Sequence, residues 1–244
     1  MLRTIFILSL FIGFTFAQTI KAKYAVTFGL FGKVATADAL LVKKDGNYSI
    51  IIDVQSHGLA KMLSHNRREH YESRGQIKNG LFVPHEFVKV KQTTKRRDEK
   101  RYIFDHMHKN IMAIEDKNKY GHFHSHTKHL LNYYAKDDLL TLYFNLKKYL
   151  KPNRYRYKFY AVGGNEKNGE VDIEVLKNPG RIKKILKVDG LYLRVLLNQK
   201  IFASKKGELY VVEGEDGIAT KGLLKDVIMF GDIIGSLVSK SIEP

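Results

Sequence analysis

The sequence predicts a mainly β fold: a curved antiparallel sheet or open β-barrel carrying one principal helix over about residues 138–150. Three observations carry that prediction. Apolar residues recur at every second position from Ile20 to about Glu115, the period of strands that bury one face. Turn residues interrupt the alternation roughly every ten residues, so many short strands follow one another, and a sheet of that many strands curls or closes to manage its edges. Among the longer stretches, 139–150 is the one that shifts clearly to helical spacing.

The chain opens with a short cationic start, Met1-Leu2-Arg3-Thr4, followed by an apolar run from Ile5 to Phe14 and then Thr15-Phe16-Ala17. That is the three-part layout of a secretory signal with a cut before Gln18. The run falls short of the roughly 20 apolar residues that span a bilayer. Export to the periplasm with cleavage is expected, and an uncut chain is tethered to the inner membrane. No Pro- or Ser-rich linker divides residues 18–244, so a single β-rich domain follows.

Gly29 and Gly32 make a tight turn after the first strand. Val34, Thr36, Asp38, Leu40 and Val42 then alternate with Ala35, Ala37, Ala39 and Leu41. The Asp45-Gly46 turn leads into Tyr48, Ile50, Ile52 and Val54 on one face, with the more polar Ser49, Ile51, Asp53, Gln55 and His57 on the other, an antiparallel hairpin. Residues 58–63 form a brief helical or turn segment. Strands are expected at 69–76, 86–94, 100–108 and 111–115. The period changes at Asp137-Asp138, where Leu139, Leu140, Leu142, Tyr143, Leu146 and Leu150 take helical spacing. Asp137 or Asp138 caps the orphan N–H groups, Lys147 and Lys148 suit the C-terminal dipole, and Pro152 ends the helix, which packs on the sheet as a lid or plug. Strands resume at 154–162, 170–176, 182–188, 191–197 and 208–212. The segment 223–238, with Gly222, Gly231 and Gly235 in or beside it, reads as a closing strand with a bend or as a short helix.

A hydrophobic fraction of 44% supports a sizeable core and excludes a disordered chain. The absence of cysteine removes disulfides, the lipidated cysteine of a lipoprotein and any thiol nucleophile, and it favours a bacterial envelope over a eukaryotic secreted setting. Lys and Arg total 42 against 25 acids, a net charge of +17. For an exported protein the polyanions at hand are lipid head groups, lipopolysaccharide and peptidoglycan carboxylates, not nucleic acid. The charge is spread over separate clusters such as Lys43-Lys44 and Lys95-Arg96-Arg97, as solvated turns and strand faces are. Solubility after cleavage is expected.

Ten histidines stand in the chain, six of them between positions 106 and 129. His106 and His108 project from one face if they lie on a strand with Tyr102 and Phe104. On a strand His122, His124 and His126 converge; on a helix His122, His126 and His129 share a face. Neutral imidazoles in either arrangement suit Zn²⁺, Cu²⁺ or Ni²⁺, and the alternative is a polar loop before the helix. Asp105, following Phe104, is placed to face inward and accept hydrogen bonds. Arg154-Tyr155-Arg156-Tyr157-Lys158-Phe159-Tyr160 alternates cations with rings, putting Tyr155, Tyr157 and Phe159 on one face and Arg154 and Arg156 on the other. Such a strand grips an anionic amphiphile, or is an ordinary amphipathic strand with a basic outer face.

Other chemistries lack their residues. The inverted zinc-peptidase pattern fails because Asn66 stands where a histidine is required, and His85-Glu86 lacks the second histidine of the forward pattern. Thr27 and Val34 stand where a phosphate loop needs Gly and Ser or Thr, and no Gly-x-Ser-x-Gly elbow is present.

The order of segments resembles an exported bacterial family catalogued as domain of unknown function 3108 (DUF3108). The matching stretches are 24–32, the hairpin through 48–53, then 58–63, 71–75, 84–87, Phe104-Asp105, 138–144 and 207–211. The resemblance implies a periplasmic, mostly antiparallel β fold; it implies no activity and transfers no catalytic residues. The functional expectation is non-enzymatic binding of an amphipathic or anionic envelope component, with no cofactor. Divalent metal capture by His106, His108, His122, His124, His126 and His129 is the alternative, and an envelope scaffold or assembly role the third.

Overall fold

Alternation becomes structure strand by strand. The computed structural model describes residues 17–197, 204–227 and 231–244, so the predicted export signal, up to Phe16, lies outside the described residues. The strands are β1 (Gln18–Thr27), β2 (Lys33–Lys44), β3 (Asn47–Ser56), β4 (Arg68–Lys78), β5 (Leu81–Gln92), β6 (Arg96–Asp105), β7 (Asn110–Lys119) and β8 (His122–Leu130). After them come β9 (Asp137–Asp138), β10 (Arg156–Val162), β11 (Glu170–Val175), β12 (Leu191–Leu196), β13 (Glu208–Glu213), β14 (Ala219–Val227) and β15 (Gly231–Glu243). Among the described residues three α-helices interrupt them, α1 (Gly58–Leu63), α2 (Leu139–Tyr149) and α3 (Gly180–Leu186), and a single 3-10 turn stands at Gly29–Phe31.

All fifteen described strands belong to one open, curved sheet, in the order β8 to β1, then β15 down to β9. Two antiparallel meanders are therefore joined where the first strand pairs with the last, Thr19 opposite Glu243 and Thr27 opposite Ile234. The short parallel pairing of β9 with β10 ends the sheet. Asp45 and Gly46 both take positive φ in the β2–β3 turn, the conformation that a two-residue hairpin twisted like its strands requires. At Gly75 the β4–β5 register slips, and an added Cβ would stand 2.0 Å from the Val83 carbonyl oxygen, so the strands approach there as only glycine allows.

The sheet curls around α2, which packs on β4 and β5 from one meander and on β10 from the other. Leu142 and Leu146 bury their side chains against Ala161, Val171, Ile173 and Leu193, while Leu140 reaches the opposite side, toward Leu41, Tyr48, Ile50 and Phe82. Directional bonds then fix what the leucines only attract. Asp138 caps the helix, its Oδ1 accepting from the Leu140 and Thr141 amides at 2.8 and 3.0 Å, while Thr141 Oγ1 accepts from the Asp138 amide at 2.9 Å. The second oxygen, Oδ2, accepts the Ser73 hydroxyl of β4 at 2.6 Å, and Ser73 meets the Tyr48 hydroxyl of β3. Asn145, one turn on, treats β5 as a neighbouring strand would: its Oδ1 accepts the Phe82 amide at 2.8 Å and its Nδ2 donates to the Phe82 carbonyl at 2.9 Å. The same Nδ2 reaches Asp137 Oδ1 at 2.7 Å, and Tyr149 donates to Asp137 Oδ2.

Three expectations change. Residues 182–188 are helical up to Leu186, not a strand, because Ile182, Ile185 and Leu186 stand at i, i+3 and i+4 and pack on Tyr192, Val212 and Leu223. Residues 223–227 and 231–238 belong to two strands, β14 and β15, paired with each other, instead of to one bent strand or a helix. The strand expected to reach His108 ends at Asp105, and a turn with Lys109 at positive φ takes the chain into β7.

Burial is the chief cause that pushes the Asp138 carboxyl up to about 6 from an ordinary 3.8, against the hydrogen bonds that favour its ionised form. A carboxyl raised in the folded state is protonated there while the unfolded chain is already ionised, so its contribution to stability is full at low pH and is lost as pH rises from about 4 to 6. Relative to Asp138→Asn, the wild type is expected to lose about 3 kcal/mol over that window, read from urea unfolding at a series of pH values. A difference independent of pH would show that Asp138 stays ionised throughout. Asp138→Ala, which strands Ser73 and two helix amides, should cost about 2–4 kcal/mol below about pH 4 and less as pH rises through the same window.

Candidate functional site

The register lays out the inner face of the sheet in cross-strand rows. One row runs Ala39, Ile52, Tyr71, Lys89, Lys100, Glu115 across β2 to β7, and the next runs Ala37, Val54, Glu69, Lys91, Asp98, Lys117. Each begins apolar, turns polar at β4 and becomes charged at β5. On the other meander the inner rows remain apolar: Ile233, Leu224, Leu209, Val195 and Ile173 form one, and Gly235, Gly222, Val211 and Leu193 another.

Two cavities follow from that division. The first, about 550 Å³, lies between α2 and the apolar rows, walled by residues such as Ile52, Leu142, Leu193 and Leu224. Part of its room exists because Gly222 and Gly235 face each other across β14 and β15 without side chains. A Cβ at Gly222 would find its nearest atom at 3.5 Å, and one at Gly235 nothing within 4 Å. The polar residues on its lining are Arg67, Glu69 and the two tyrosines Tyr71 and Tyr143. Arg67 pairs with Glu69, and Tyr71 donates its hydroxyl to the same carboxylate. Burial first, then the Glu69 charge, holds the Tyr71 phenol well above its ordinary range.

The second cavity, about 440 Å³, opens on the far side of β4 over β5 to β7 and is lined by Lys89, Lys91, Lys100 and Lys117 together with Asp98, Glu115 and Glu166. Tyr102 and Tyr133 stand in it, both pushed up to about 12 by burial. The two cavities meet along the β4–β5 pairing, where Tyr71 is opposite Lys89 and Glu69 opposite Lys91. Lys89 Nζ lies 5.7 Å from the centre of the Tyr71 ring. Desolvation is the main cause holding Lys89 down to about 8 and lowering Lys91.

The residues singled out in the sequence lie elsewhere. Tyr157 and Phe159 turn inward and stack at 5.6 Å, and Phe159 packs under α2; Arg156 turns outward to Glu174 at 3.1 Å. Arg154 stands 4.9 Å over the Tyr157 ring, and Lys177, not an arginine, covers Tyr155 at 4.0 Å. The Tyr157 hydroxyl is taken up by the 151–154 turn, accepting from the Lys151 amide. The sheet thus separates most of the rings from the cations, and the inner pair belongs to the core beside the apolar cavity.

The histidines are distributed as well. Both nitrogens of His106 are engaged, one with the Tyr134 hydroxyl at 2.7 Å and one with the Pro84 carbonyl at 2.6 Å. His108 bonds Asp105, and His126 bonds Asp116, each at 2.7 Å. Asp105 is exposed at the strand end instead of facing inward, and the His108 backbone amide is the first cause that lowers its carboxyl. The His tract forms the edge strand β8, where a bulge opposite Lys117 and Asn118 puts His122 on one face and His126 on the other. His129 alone of the six lines a cavity described above. No cluster of three or more His, Cys, Asp or Glu fit to hold a metal occurs among the described residues.

No family model matches the sequence, and no curated protein matches it. Among solved structures, the chain is similar to the crystal structure of a β-barrel-like protein of domain of unknown function DUF1849 from Brucella abortus, with a TM-score of 0.53 and 10% identity over 93% of this chain and 98% of that one. That likeness shows the shared β-barrel-like fold.

The Arg67–Glu69 pair is largely withdrawn from water on the Glu69 side. Arg67→Met alone, leaving a carboxylate at the cavity wall, is expected to cost about 2–3 kcal/mol, and Arg67→Met with Glu69→Leu to recover most of it. Equal losses in the single and double variants, by chemical denaturation, would show that the pair has no mutual dependence.

Proposed function

We propose that this protein binds the apolar chain of an amphipathic molecule inside its curled sheet, without catalysis. The observation that carries the reading is the cavity of about 550 Å³ beside α2. It falls within the roughly 300–1,000 Å³ of small-molecule pockets and has the expected lining, a mostly apolar wall with a few placed polar groups. The paired glycines add weight. Strand interiors gain stability from side chains that pack, so two facing glycines at Gly222 and Gly235 leave space where a close-packed core would fill it. An empty apolar hollow costs stability, and an alkyl chain relieves that cost. Export through the N-terminal apolar segment completes the proposal, since envelope lipids supply such molecules.

The protein, stripped of co-purifying lipid, should bind the neutral fluorophore N-phenyl-1-naphthylamine, and alkyl ligands should displace it. Each added methylene should tighten an alkyl ligand by up to about 0.8 kcal/mol, roughly fourfold, until the cavity is full. An added Cβ meets nothing closer than 3.5 Å at Gly222 and nothing within 4 Å at Gly235, so Gly235→Leu and Gly222→Leu should keep or raise stability while weakening probe binding at least about tenfold. Absence of probe binding, or affinity indifferent to both chain length and cavity filling, would exclude the reading.

A further inference from the structure

We infer that the lysine-lined cavity is the head-group subsite for the same ligand, making it a single-chain amphiphile with an anionic head, a carboxylate or a phosphate monoester. The inference rests on the reading of the apolar cavity and adds what that reading leaves open, the chemistry of the polar end.

Geometry comes first. The linings of the two cavities are neighbours across the β4–β5 pairing, where Lys89 and Lys91 on the inner face of β5 stand opposite Tyr71 and Glu69 of the apolar cavity. A chain lying along the Ile52–Tyr71–Lys89 row passes from aliphatic wall to phenol to ammonium in two cross-strand steps. Phe87, the inner residue before Lys89 on the same strand, lines the apolar cavity and stacks on Tyr102 of the charged one at 6.0 Å, so the two linings are in contact there as well.

Charge comes second. Lys100 and Lys117 share Glu115, at 2.6 and 4.0 Å. Lys89 and Lys91 form no ion pair among the described residues, although both are largely desolvated. The groups acting on Lys89 are Lys91 on its own strand, Arg67 and Glu69 at the edge of β4, and Lys100 on β6: three cations against one carboxylate. Glu69 is already held by Arg67 and Tyr71. Asp98 faces Lys91 from β6, one strand farther from the apolar cavity. Two ammonium groups withdrawn from water in a net positive field attract an anion strongly, because the surroundings screen little. Their long stems pack along the wall while the charged ends reach the head.

The test uses the full chain stripped of lipid, with displacement of the neutral fluorophore by three ligands of equal chain length: dodecanoate, monododecyl phosphate and dodecanol. At about pH 7 at least one anion should displace the probe at a concentration about tenfold or more below that of dodecanol. The tighter of the two anions identifies carboxylate or phosphate as the head. In Lys89→Gln/Lys91→Gln the preference should shrink to about twofold with dodecanol unchanged. The wild type carries a second arm independent of the variant's folding. Its preference should weaken between about pH 7 and pH 9, as Lys89 with its value near 8 loses its proton while the carboxylate stays ionised. Equal displacement by all three ligands, or a preference that survives both the double substitution and the pH rise, overturns the head-group subsite and leaves the apolar cavity standing. Displacement by none of them overturns both.

Discussion

The curl of this sheet depends on the buried polar clamp formed by Asp137, Asp138 and Asn145 with Ser73 and Phe82. Hairpins fix each strand to its neighbour, but a sheet of fifteen strands with two free ends has no hairpin that sets its overall curvature. The clamp supplies that constraint. Asn145 completes both backbone bonds of Phe82 on β5, while Asp137 and Asp138, in register with Ala161 and Val162, belong to the strand beside β10. A point in the middle of the first meander is thereby tied to the last strand of the second. Leucines at Leu142 and Leu146 supply most of the burial, yet apolar contact tolerates sliding and rotation. A buried amide that loses its partner costs about 1–3 kcal/mol, so each bond of the clamp penalises any other placement of α2.

Holding α2 there also creates the cavities. The helix occupies the inside of the curl without filling it, and what remains takes its chemistry from the rows of inward side chains. Period two makes each row legible, since successive residues of a strand alternate between the two faces. Along β3 the inward set is Tyr48, Ile50, Ile52 and Val54; along β5 it includes Phe87, Lys89 and Lys91. The change from apolar to charged therefore runs across the sheet. It falls at β4, whose Tyr71 and Glu69 are the intermediate residues. An amphiphile lying across the strands meets a gradient, whereas one lying along a strand would not.

Much of the framework was legible in the residues. The alternation from Val34 to Val54 places the β2–β3 hairpin, and Asp138 with Leu142 and Leu146 places α2, because burial of one face and a capped start leave strong local patterns. The short segment 58–63 is helical too, although it has no side-chain cap and buries only Ala60. The 182–188 segment misleads, since three apolar residues in seven satisfy a strand or a one-sided helix equally, and packing on Tyr192 and Leu223 decides. The inner lysines were less visible still. Lys89 and Lys91 alternate with Val88 and Val90, so the apolar residues of that stretch point outward and the charged ones inward, the reverse of the rule that the alternation assumes. The aromatic and basic strand 154–160 drew attention through composition, yet Arg156 and Lys158 settle onto Glu174 and Glu170 on the outer surface.

The positive charge therefore divides into two populations with different physics. Arg156, Lys158 and Lys21 are exposed, each paired with a glutamate, and solution ions screen them within a Debye length of about 8 Å. These charges are those of a solvated surface. At β8, the one long edge, a bulge and the polar side chains of Ser125, Lys128 and four histidines disfavour pairing with another sheet, and β9 is too short to offer a template. Lys89 and Lys91 belong to the other population. Moving them outward would improve their hydration at no evident loss to the fold, since β5 already packs through Phe82 and Phe87. Their cost in place is set by desolvation and like charge, and Glu69 and Asp98 act against it. A total of +17 counts both populations alike.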